Sequence, residues 1–170
     1  MLIRAALAAA ALIALPLSAS AQTAELIEKH KDWSSYRHKA EKDTTCFAVT
    51  QPKDTEPKGA KRGDIFLYIS FWPSDKVSEQ VMIRLGYPIK DNTTVSAAIG
   101  SDTFTFDPKE DKAFIQDGDT EKKFVAALKK GDKLVIKGTS KKGTETTDVY
   151  SLLGVSAALK QAEEACATKS

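Results

Sequence analysis

Apolar and polar residues alternate over short segments along most of the chain beyond residue 45. The longest such segment is 65–72, in which Leu67 and Ile69 face one way and Tyr68 faces the other. A period of two, in residues that favour extended backbone, predicts a strand with one face toward a core. Shorter segments of the same kind lie at 46–49, 81–85, 93–99, 104–106, 113–115, 133–139 and 146–150.

Turn-forming residues separate these predicted strands at intervals of about 8 to 12 residues. Gly100-Ser101 joins two of the strands as a two-residue hairpin turn, and Lys141-Lys142-Gly143 joins two others. Strands that are so short and so regularly interrupted favour antiparallel pairing over an α/β arrangement. We therefore expect a mainly antiparallel all-β fold, either a β-sandwich or a partly closed barrel.

Two segments have the period of an amphipathic helix and are expected to accompany the sheet. In the first, near 119–130, Asp119 or Thr120 is the expected N-cap, and Phe124 and Leu128 lie one turn apart. The second begins at about residue 152 and forms a C-terminal helix packed on the sheet. Its apolar residues are spaced three and four apart, and they are Leu152, Val155, Leu159, Ala162 and Cys166.

The first 21 residues have the layout of a cleavable export signal. Arg4 gives a positive start, residues 5–17 are mostly apolar, and Ala19-Ser20-Ala21 is a small-residue cleavage site. The apolar run is too short for a membrane-spanning helix. We predict cleavage after Ala21 and an exported mature protein that begins at Gln22.

The chain divides into three predicted parts. Residues 1–21 are the signal peptide, and residues 22–44 form an N-terminal extension. A short helix is expected at 23–31 within this extension, with Thr23 as its N-cap. Residues 45–170 form a single β-domain, and a chain of this size can be stabilised by one hydrophobic core.

The two cysteines of the chain, Cys46 and Cys166, both lie in the mature part. In an exported protein an isolated pair favours a disulfide, with free thiols as the alternative. The two histidines, His30 and His38, both precede Cys46, and this order does not fit a zinc motif. We expect a disulfide that ties the C-terminal tail to an early strand, and we expect no metal and no cofactor.

The formal net charge of +2 is too small for a typical nucleic-acid-binding protein, which would carry a strongly basic stripe. A basic loop that includes Lys61 and Arg62, together with the turn at Lys141-Lys142, would suit an anionic surface such as lipid or lipopolysaccharide. Exposed lysines are ordinary on any soluble domain, and solvated side chains are the favoured interpretation. Peripheral contact with an anionic surface stays as the alternative.

Phe71 and Trp72 end the longest predicted strand, directly before Pro73. Such a pair either packs into the core or leaves an aromatic face for a partner, and core or edge packing is favoured. The second interpretation still gives the best candidate for a contact region. This candidate interaction surface consists of Phe71, Trp72, Lys61 and Arg62.

No arrangement in the sequence predicts catalytic residues. Nucleophilic catalysis needs a base held beside the nucleophile, but both histidines precede the β-domain and no G-x-S-x-G elbow is present. An acidic stretch offers a calcium site or a pair of hydrolytic carboxylates as alternatives, but its spacing supports neither, and solvated loop charges are favoured. The acidic residues are Asp102, Asp107, Glu110, Asp111, Asp117 and Asp119.

Several motifs resemble those of the invasion-associated locus B (IalB) proteins. The resemblance covers about residues 33–166, and its C-terminal third is the most specific part. The motifs are Arg62-Gly63, Trp72-Pro73, Gly86-Tyr87-Pro88, Ile99-Gly100 with Phe104, Ala126-Ala127-Leu128-Lys129-Lys130-Gly131, Lys137-Gly138-Thr139-Ser140, Gly143-Thr144, Asp148-Val149-Tyr150-Ser151-Leu152, Gly154-Val155-Ser156-Ala157-Ala158-Leu159 and Cys166.

The resemblance implies a small exported bacterial protein of the periplasm or outer envelope, in a family without established catalytic residues. Its name comes from pathogenic members and does not describe a biochemical activity. We therefore expect a non-enzymatic binding module whose partner is an unknown envelope or host protein, and no nucleic acid. The alternatives are an envelope hydrolase that uses loop carboxylates and a structural or stress factor of the periplasm.

Overall fold

The computed structural model describes residues 23–40 and 43–167. Within these residues the chain forms eleven strands and two α-helices. The elements are β1 (Glu25–His30), β2 (Trp33–Lys39), β3 (Thr44–Thr50), β4 (Asp54–Glu56), β5 (Phe66–Trp72), β6 (Val77–Arg84), β7 (Val95–Ile99), β8 (Asp102–Lys109), β9 (Lys112–Phe114), α1 (Gly118–Lys130), β10 (Lys133–Thr139), β11 (Glu145–Ser151) and α2 (Val155–Ala167).

All strands belong to one open antiparallel sheet in the order β1-β2-β3-β5-β6-β9-β8-β7-β10-β11-β4. Strand β8 connects the two halves, because Asp102–Phe106 pairs with β7 whereas Asp107–Lys109 pairs with β9. The predicted hairpin turn at Gly100-Ser101 is present, since Ile99 pairs with Asp102. The expected mainly antiparallel β fold with two helices, one of them C-terminal, is confirmed.

The sheet curls so that its two ends approach each other. Strand β3 lies third from one edge and β4 forms the opposite edge, yet Thr50 and Asp54 are only four residues apart in the chain. Four residues span at most about 14 Å, so these distant positions in the sheet must be close in space. The indole N–H of Trp33 donates to the carbonyl of Ser151 at 3.0 Å, and this contact joins the start of β2 to the end of β11.

Helix α2 covers the inner face of β1, β2, β3 and β5. The hydroxyl of Ser35, on β2, donates to the carbonyl of Ala158 at 2.9 Å. Cys46, on β3, forms the expected disulfide with Cys166 near the end of the helix. The C-terminal helix is therefore tied to the early strands by a covalent bond as well as by burial of Val155, Leu159 and their apolar neighbours.

Helix α1 packs on β6 and β8. The carboxylate of Asp117 caps it by accepting from the Thr120 amide at 2.7 Å, so the N-cap lies two residues before the predicted Asp119. The hydrogen bond favours the charged carboxylate and lowers the pKa of Asp117. Phe124 contacts the rings of Phe104 and Phe106 edge to face, with centroids 5.1 and 5.2 Å away.

The predicted short helix at 23–31 is wrong. Residues Glu25–His30 form β1, which pairs with β2, and Lys31 closes the hairpin in the left-handed conformation with φ of 55°. A nine-residue helix is marginal by itself, whereas pairing with β2 satisfies backbone groups along the segment. The sequence pattern also gave no strand between β3 and β5, where Asp54–Glu56 forms β4 by pairing with β11.

The predicted signal peptide and its cleavage site at Ala21 lie outside the described residues. In the part of the chain that the structure does describe, neither helix has the length and apolar character needed to cross a membrane.

Replacing both cysteines, as Cys46→Ala/Cys166→Ala, should lower the free energy of unfolding by about 2–5 kcal/mol, because the unfolded chain regains the freedom of a long loop. Urea unfolding of the mature protein, followed by tryptophan fluorescence, measures the change. A reductant should shift the wild type toward the variant and leave the variant unaffected. Equal midpoints for the oxidised wild type and the variant would contradict the expected stabilisation.

Candidate functional site

A buried ion pair joins two of the motifs identified in the sequence. Arg62 precedes β5 and Asp148 lies in the middle of β11, 86 residues away. The guanidinium makes two hydrogen bonds to the carboxylate, at 2.6 and 2.7 Å, and the two side chains are 6% and 1% exposed. Arg62 also donates from Nε and Nη2 to the carbonyl of Leu85, at the end of β6. Three separate segments are therefore held at one point.

The aromatic ring of Tyr87 lies next to this ion pair. The guanidinium carbon of Arg62 lies 4.9 Å from the centre of the Tyr87 ring, a distance suited to a cation–π contact. The phenol oxygen lies 2.5 Å from the Thr146 hydroxyl, and burial raises the pKa of Tyr87. These contacts fix the ring against β11.

Two motif glycines allow the chain to pass closely at this point. Gly86 has φ of +73°, and a Cβ there would lie 2.4 Å from the carbonyl oxygen of Gly63. The amide of Gly63 donates to the carbonyl of Gly86 at 2.8 Å. Any side chain at Gly86 would separate the loop that carries Arg62 from the end of β6.

A cavity of about 520 Å³ lies over Arg62 and Tyr87, and we call it the lysine-rimmed cavity. None of the described residues that line it is acidic. Lys141 lies 3.6 Å from Asp91, whereas Lys61 and Lys142 form no ion pair with any described residue. The lining residues are Pro57, Ala60, Lys61, Arg62, Gly86, Tyr87, Pro88, Ser140, Lys141, Lys142, Thr144 and Thr146.

Backbone hydrogen bonds hold the rim of the lysine-rimmed cavity in place. The amide of Lys141 donates to the carbonyl of Pro88 at 2.9 Å. Within the β10–β11 turn, the amide of Ser140 donates to the carbonyl of Thr144, and the amide of Thr144 donates to the Ser140 hydroxyl. Lys141 and Lys142 are thus presented by a hydrogen-bonded turn, over apolar walls that include Pro57, Pro88 and Ala60.

The structure divides the candidate interaction surface between two places. Lys61 and Arg62 both reach the lysine-rimmed cavity, although the charge of Arg62 is already matched by Asp148. Phe71 is 4% exposed in the core and Trp72 is half-buried, both at the opposite end of β5. The seven residues of β5 span roughly 20 Å, so the aromatic and basic halves are well separated.

The acidic residues considered for hydrolysis are spread over different parts of the fold. Asp102 lines a cavity near α1 together with Lys123, and Asp117 is engaged as the cap of that helix. Glu110 and Asp111 line a cavity beside Tyr87, where Asp111 pairs with Arg84 at 2.8 Å. This distribution gives no support to a pair of catalytic carboxylates. Among the described residues, no group of three acidic, histidine or cysteine side chains is placed to hold a metal ion.

The sequence pointed to several residues of the lysine-rimmed cavity, but it did not show that they lie together. Lys61 and the turn at Lys141-Lys142 stood out by charge, whereas Tyr87 and Asp148 stood out only within motifs. One signal was available in β11: Asp148 occupies an inward position between Thr146 and Tyr150, and a buried carboxylate needs a partner. Nothing in that local pattern identifies the partner as Arg62.

Replacing Asp148 alone, as Asp148→Asn, should lower the free energy of unfolding by about 3–5 kcal/mol, because Arg62 is left charged and buried without a counter-ion. The double variant Arg62→Met/Asp148→Leu should recover much of this loss. Urea unfolding of Arg62→Met, Asp148→Leu, the double variant and the wild type closes the cycle and measures the coupling.

The control is Asp119→Asn, which removes an exposed partner of Lys122 and should change stability by less than about 0.5 kcal/mol. A loss for Asp148→Asn as small as that of the control would show that the buried pair does not constrain the fold.

Two comparisons with known proteins, one with family models and one with solved structures, each found a match. A family model described as Invasion associated locus B (IalB) protein matches residues 33–163, which is more than half of the chain. The fold is similar to the crystal structure of invasion associated protein B from Bartonella henselae, with a TM-score of 0.56, 18% sequence identity, and coverage of 83% of this chain and 98% of that chain. No curated protein matches. On the strength of the family match, this chain belongs to the invasion-associated locus B (IalB) family.

Proposed function

We propose that this protein is exported and acts as a non-enzymatic binding module of the bacterial envelope. Membership of an invasion-associated family supports a role outside the cytoplasm. The export signal expected at residues 1–21 and the Cys46–Cys166 disulfide agree with an oxidising compartment. The similarity to the Bartonella structure supports the fold of the module and does not extend to its ligand.

The observation that carries the proposed binding role is the charge of the lysine-rimmed cavity. Three lysines line it without an acidic neighbour in the lining, and two of them have no ion pair with a described residue. A concave surface of one sign attracts ligands of the other sign. The ligand we propose is an anionic group of the envelope, with phosphate-bearing head groups as the first class to test.

The layer beneath the lysine-rimmed cavity favours binding without a large rearrangement. Arg62, Tyr87 and Thr146 are held by the ion pair and by side-chain hydrogen bonds, so the floor is already ordered before a ligand arrives. A preorganised site loses less conformational entropy on binding. The neutral walls, Pro57 and Pro88 among them, leave room for the apolar part of an amphiphile.

Export is tested by expressing the full chain in a Gram-negative host and separating its compartments. The protein should appear in the periplasmic or outer-envelope fraction with Gln22 as its first residue. Ala21→Arg should prevent cleavage, because the signal requires a small residue there. A chain that starts at Gln22 after an initiating methionine is the control and should remain in the cytoplasm. Full-length wild type with residues 1–21 intact in the cytoplasm would contradict export.

Anion binding is tested by co-sedimentation of the mature protein with vesicles of phosphatidylglycerol and phosphatidylcholine. The variant Lys61→Gln/Lys141→Gln/Lys142→Gln should bind at least about tenfold more weakly, since each lysine near an anionic surface contributes about 1 kcal/mol. Wild-type binding should weaken as salt is raised.

The matched control removes three exposed lysines of the helices, as Lys122→Gln/Lys123→Gln/Lys160→Gln, and has the same net charge. Equal binding by the two triple variants would assign the effect to net charge and reject the lysine-rimmed cavity as the site. Equal binding of the wild type to pure phosphatidylcholine would also reject it. A structural or stress factor that needs only its fold would show no preference for the anionic vesicles.

A further inference from the structure

Four aromatic side chains form a continuous row on the outer face of β2, β3 and β5. The rings of Tyr36 and Phe47 stack with centroids 5.4 Å apart. Phe47 and Tyr68 meet edge to face at 5.8 Å, and Phe66 lies 5.4 Å from Tyr68. All four side chains are half-buried, so part of each ring reaches solvent. We call Tyr36, Phe47, Tyr68 and Phe66 the aromatic row.

The helix that packs on these strands lies on their other face. Side chains alternate between the two faces of a strand, and Ser35 and Cys46 are the neighbours of row residues. Ser35 hydrogen-bonds to Ala158 of α2, and Cys46 is bonded to Cys166 of the same helix. The aromatic row therefore faces away from α2.

A groove with polar lining adjoins the aromatic row. Its volume is about 330 Å³, and Tyr36 and Phe66 are the ring side chains in its wall. Ser34 and Gln51 supply hydroxyl and amide groups to the lining, and we call this cavity the row groove.

Cationic groups surround the row groove. Lys53 is paired with Asp32, whereas Lys29 and Lys31 form no ion pair with any described residue. The lining thus holds three lysines against one aspartate and keeps an excess of positive charge. A ligand that fits must offer apolar C–H surface to the rings, hydrogen-bonding groups to the polar lining, and negative charge to the lysines.

We infer that the aromatic row and the row groove together bind an acidic glycan chain. The C–H face of a sugar ring packs on an aromatic ring, whose face carries partial negative charge. Sugar hydroxyls hydrogen-bond to groups such as Ser34 and Gln51, in the way that a few placed polar groups orient a ligand in a pocket. Carboxylates on the chain match Lys29 and Lys31.

The charge of the residues that line the row groove favours a glycan over a protein partner or a nucleic acid as the ligand. The centre of a protein interface is depleted in charged residues, whereas this groove has lysines and an aspartate in its lining. A nucleic acid needs a strongly basic surface, and the chain has a formal net charge of only +2. The row groove and the lysine-rimmed cavity have no lining residue in common, so the glycan surface is independent of the proposed anion site.

The test uses the mature protein and glycan strands of purified peptidoglycan, freed of stem peptides by an amidase so that every second sugar carries a carboxylate. Isothermal titration should show binding to these strands and binding at least about fivefold weaker to neutral chito-oligosaccharides of equal length. In NMR spectra, the ring signals of Tyr36, Phe47, Tyr68 and Phe66 should shift on addition of the strands.

Two variants distinguish the contributions of charge and of the aromatic rings to the binding affinity. Lys29→Gln/Lys31→Gln should weaken binding about tenfold and remove most of its salt dependence. Tyr36→Leu keeps an apolar side chain at a half-buried position and should weaken binding of acidic and neutral strands alike. Lys122→Gln/Lys123→Gln, on the exposed side of α1, is the matched control with the same change of charge, and its affinity for the glycan should equal that of the wild type.

Several results would overturn the glycan site. One is unchanged affinity in both the Lys29/Lys31 and the Tyr36 variants. Another is equal or tighter binding of a single-stranded oligonucleotide. A third is self-association of the protein that buries the aromatic row, detected by sedimentation and abolished by Tyr36→Leu. Failure of the glycan site alone leaves vesicle binding through the lysine-rimmed cavity intact, so the two proposals are judged separately.

Discussion

The buried ion pair between Arg62 and Asp148 is the constraint on which the arrangement around the candidate site depends. Two charges taken out of water are costly unless every hydrogen-bonding group is satisfied. Here the guanidinium has the carboxylate, the carbonyl of Leu85 and the ring of Tyr87 as partners. Arg62 itself lies in the loop before β5, and its partners come from the residues at and just after the end of β6 and from the middle of β11. The three segments must meet at one point, and that meeting builds the floor of the lysine-rimmed cavity.

Curling of the sheet places two different candidate binding surfaces on one small protein. The segment between β3 and β5 runs from one half of the sheet to the edge of the other, and it contributes to both surfaces. It supplies Lys53 to the row groove and Lys61 to the lysine-rimmed cavity. Helix α2 covers the opposite face and is fixed there by the Cys46–Cys166 disulfide. A scaffold that holds exposed loops in place is suited to presenting binding residues.

Most individual elements followed from local patterns, and the exceptions have physical causes. Strand β10 forms over the predicted residues 133–139, with Leu134 and Ile136 buried on one face as the sequence pattern predicted. The segment 23–31 has apolar spacing compatible with either a helix or a strand, and pairing with β2 decided between them. Trp33 has polar neighbours in sequence, yet it is fully buried, because the β1–β2 hairpin packs against the end of β11, where the indole N–H donates to the carbonyl of Ser151.

The sequence by itself determined β3 and β5 to β11, the two amphipathic helices, the cysteine pair and the family motifs, because each depends on neighbouring residues or on composition. It did not predict β1, β2 or β4. It did not determine which motifs meet. Arg62 and Asp148 are 86 residues apart, and the rings of the aromatic row come from three strands. Only the tertiary structure decided these contacts, since strand order and sheet curvature arise from long-range pairing and burial, which a local period of two does not encode.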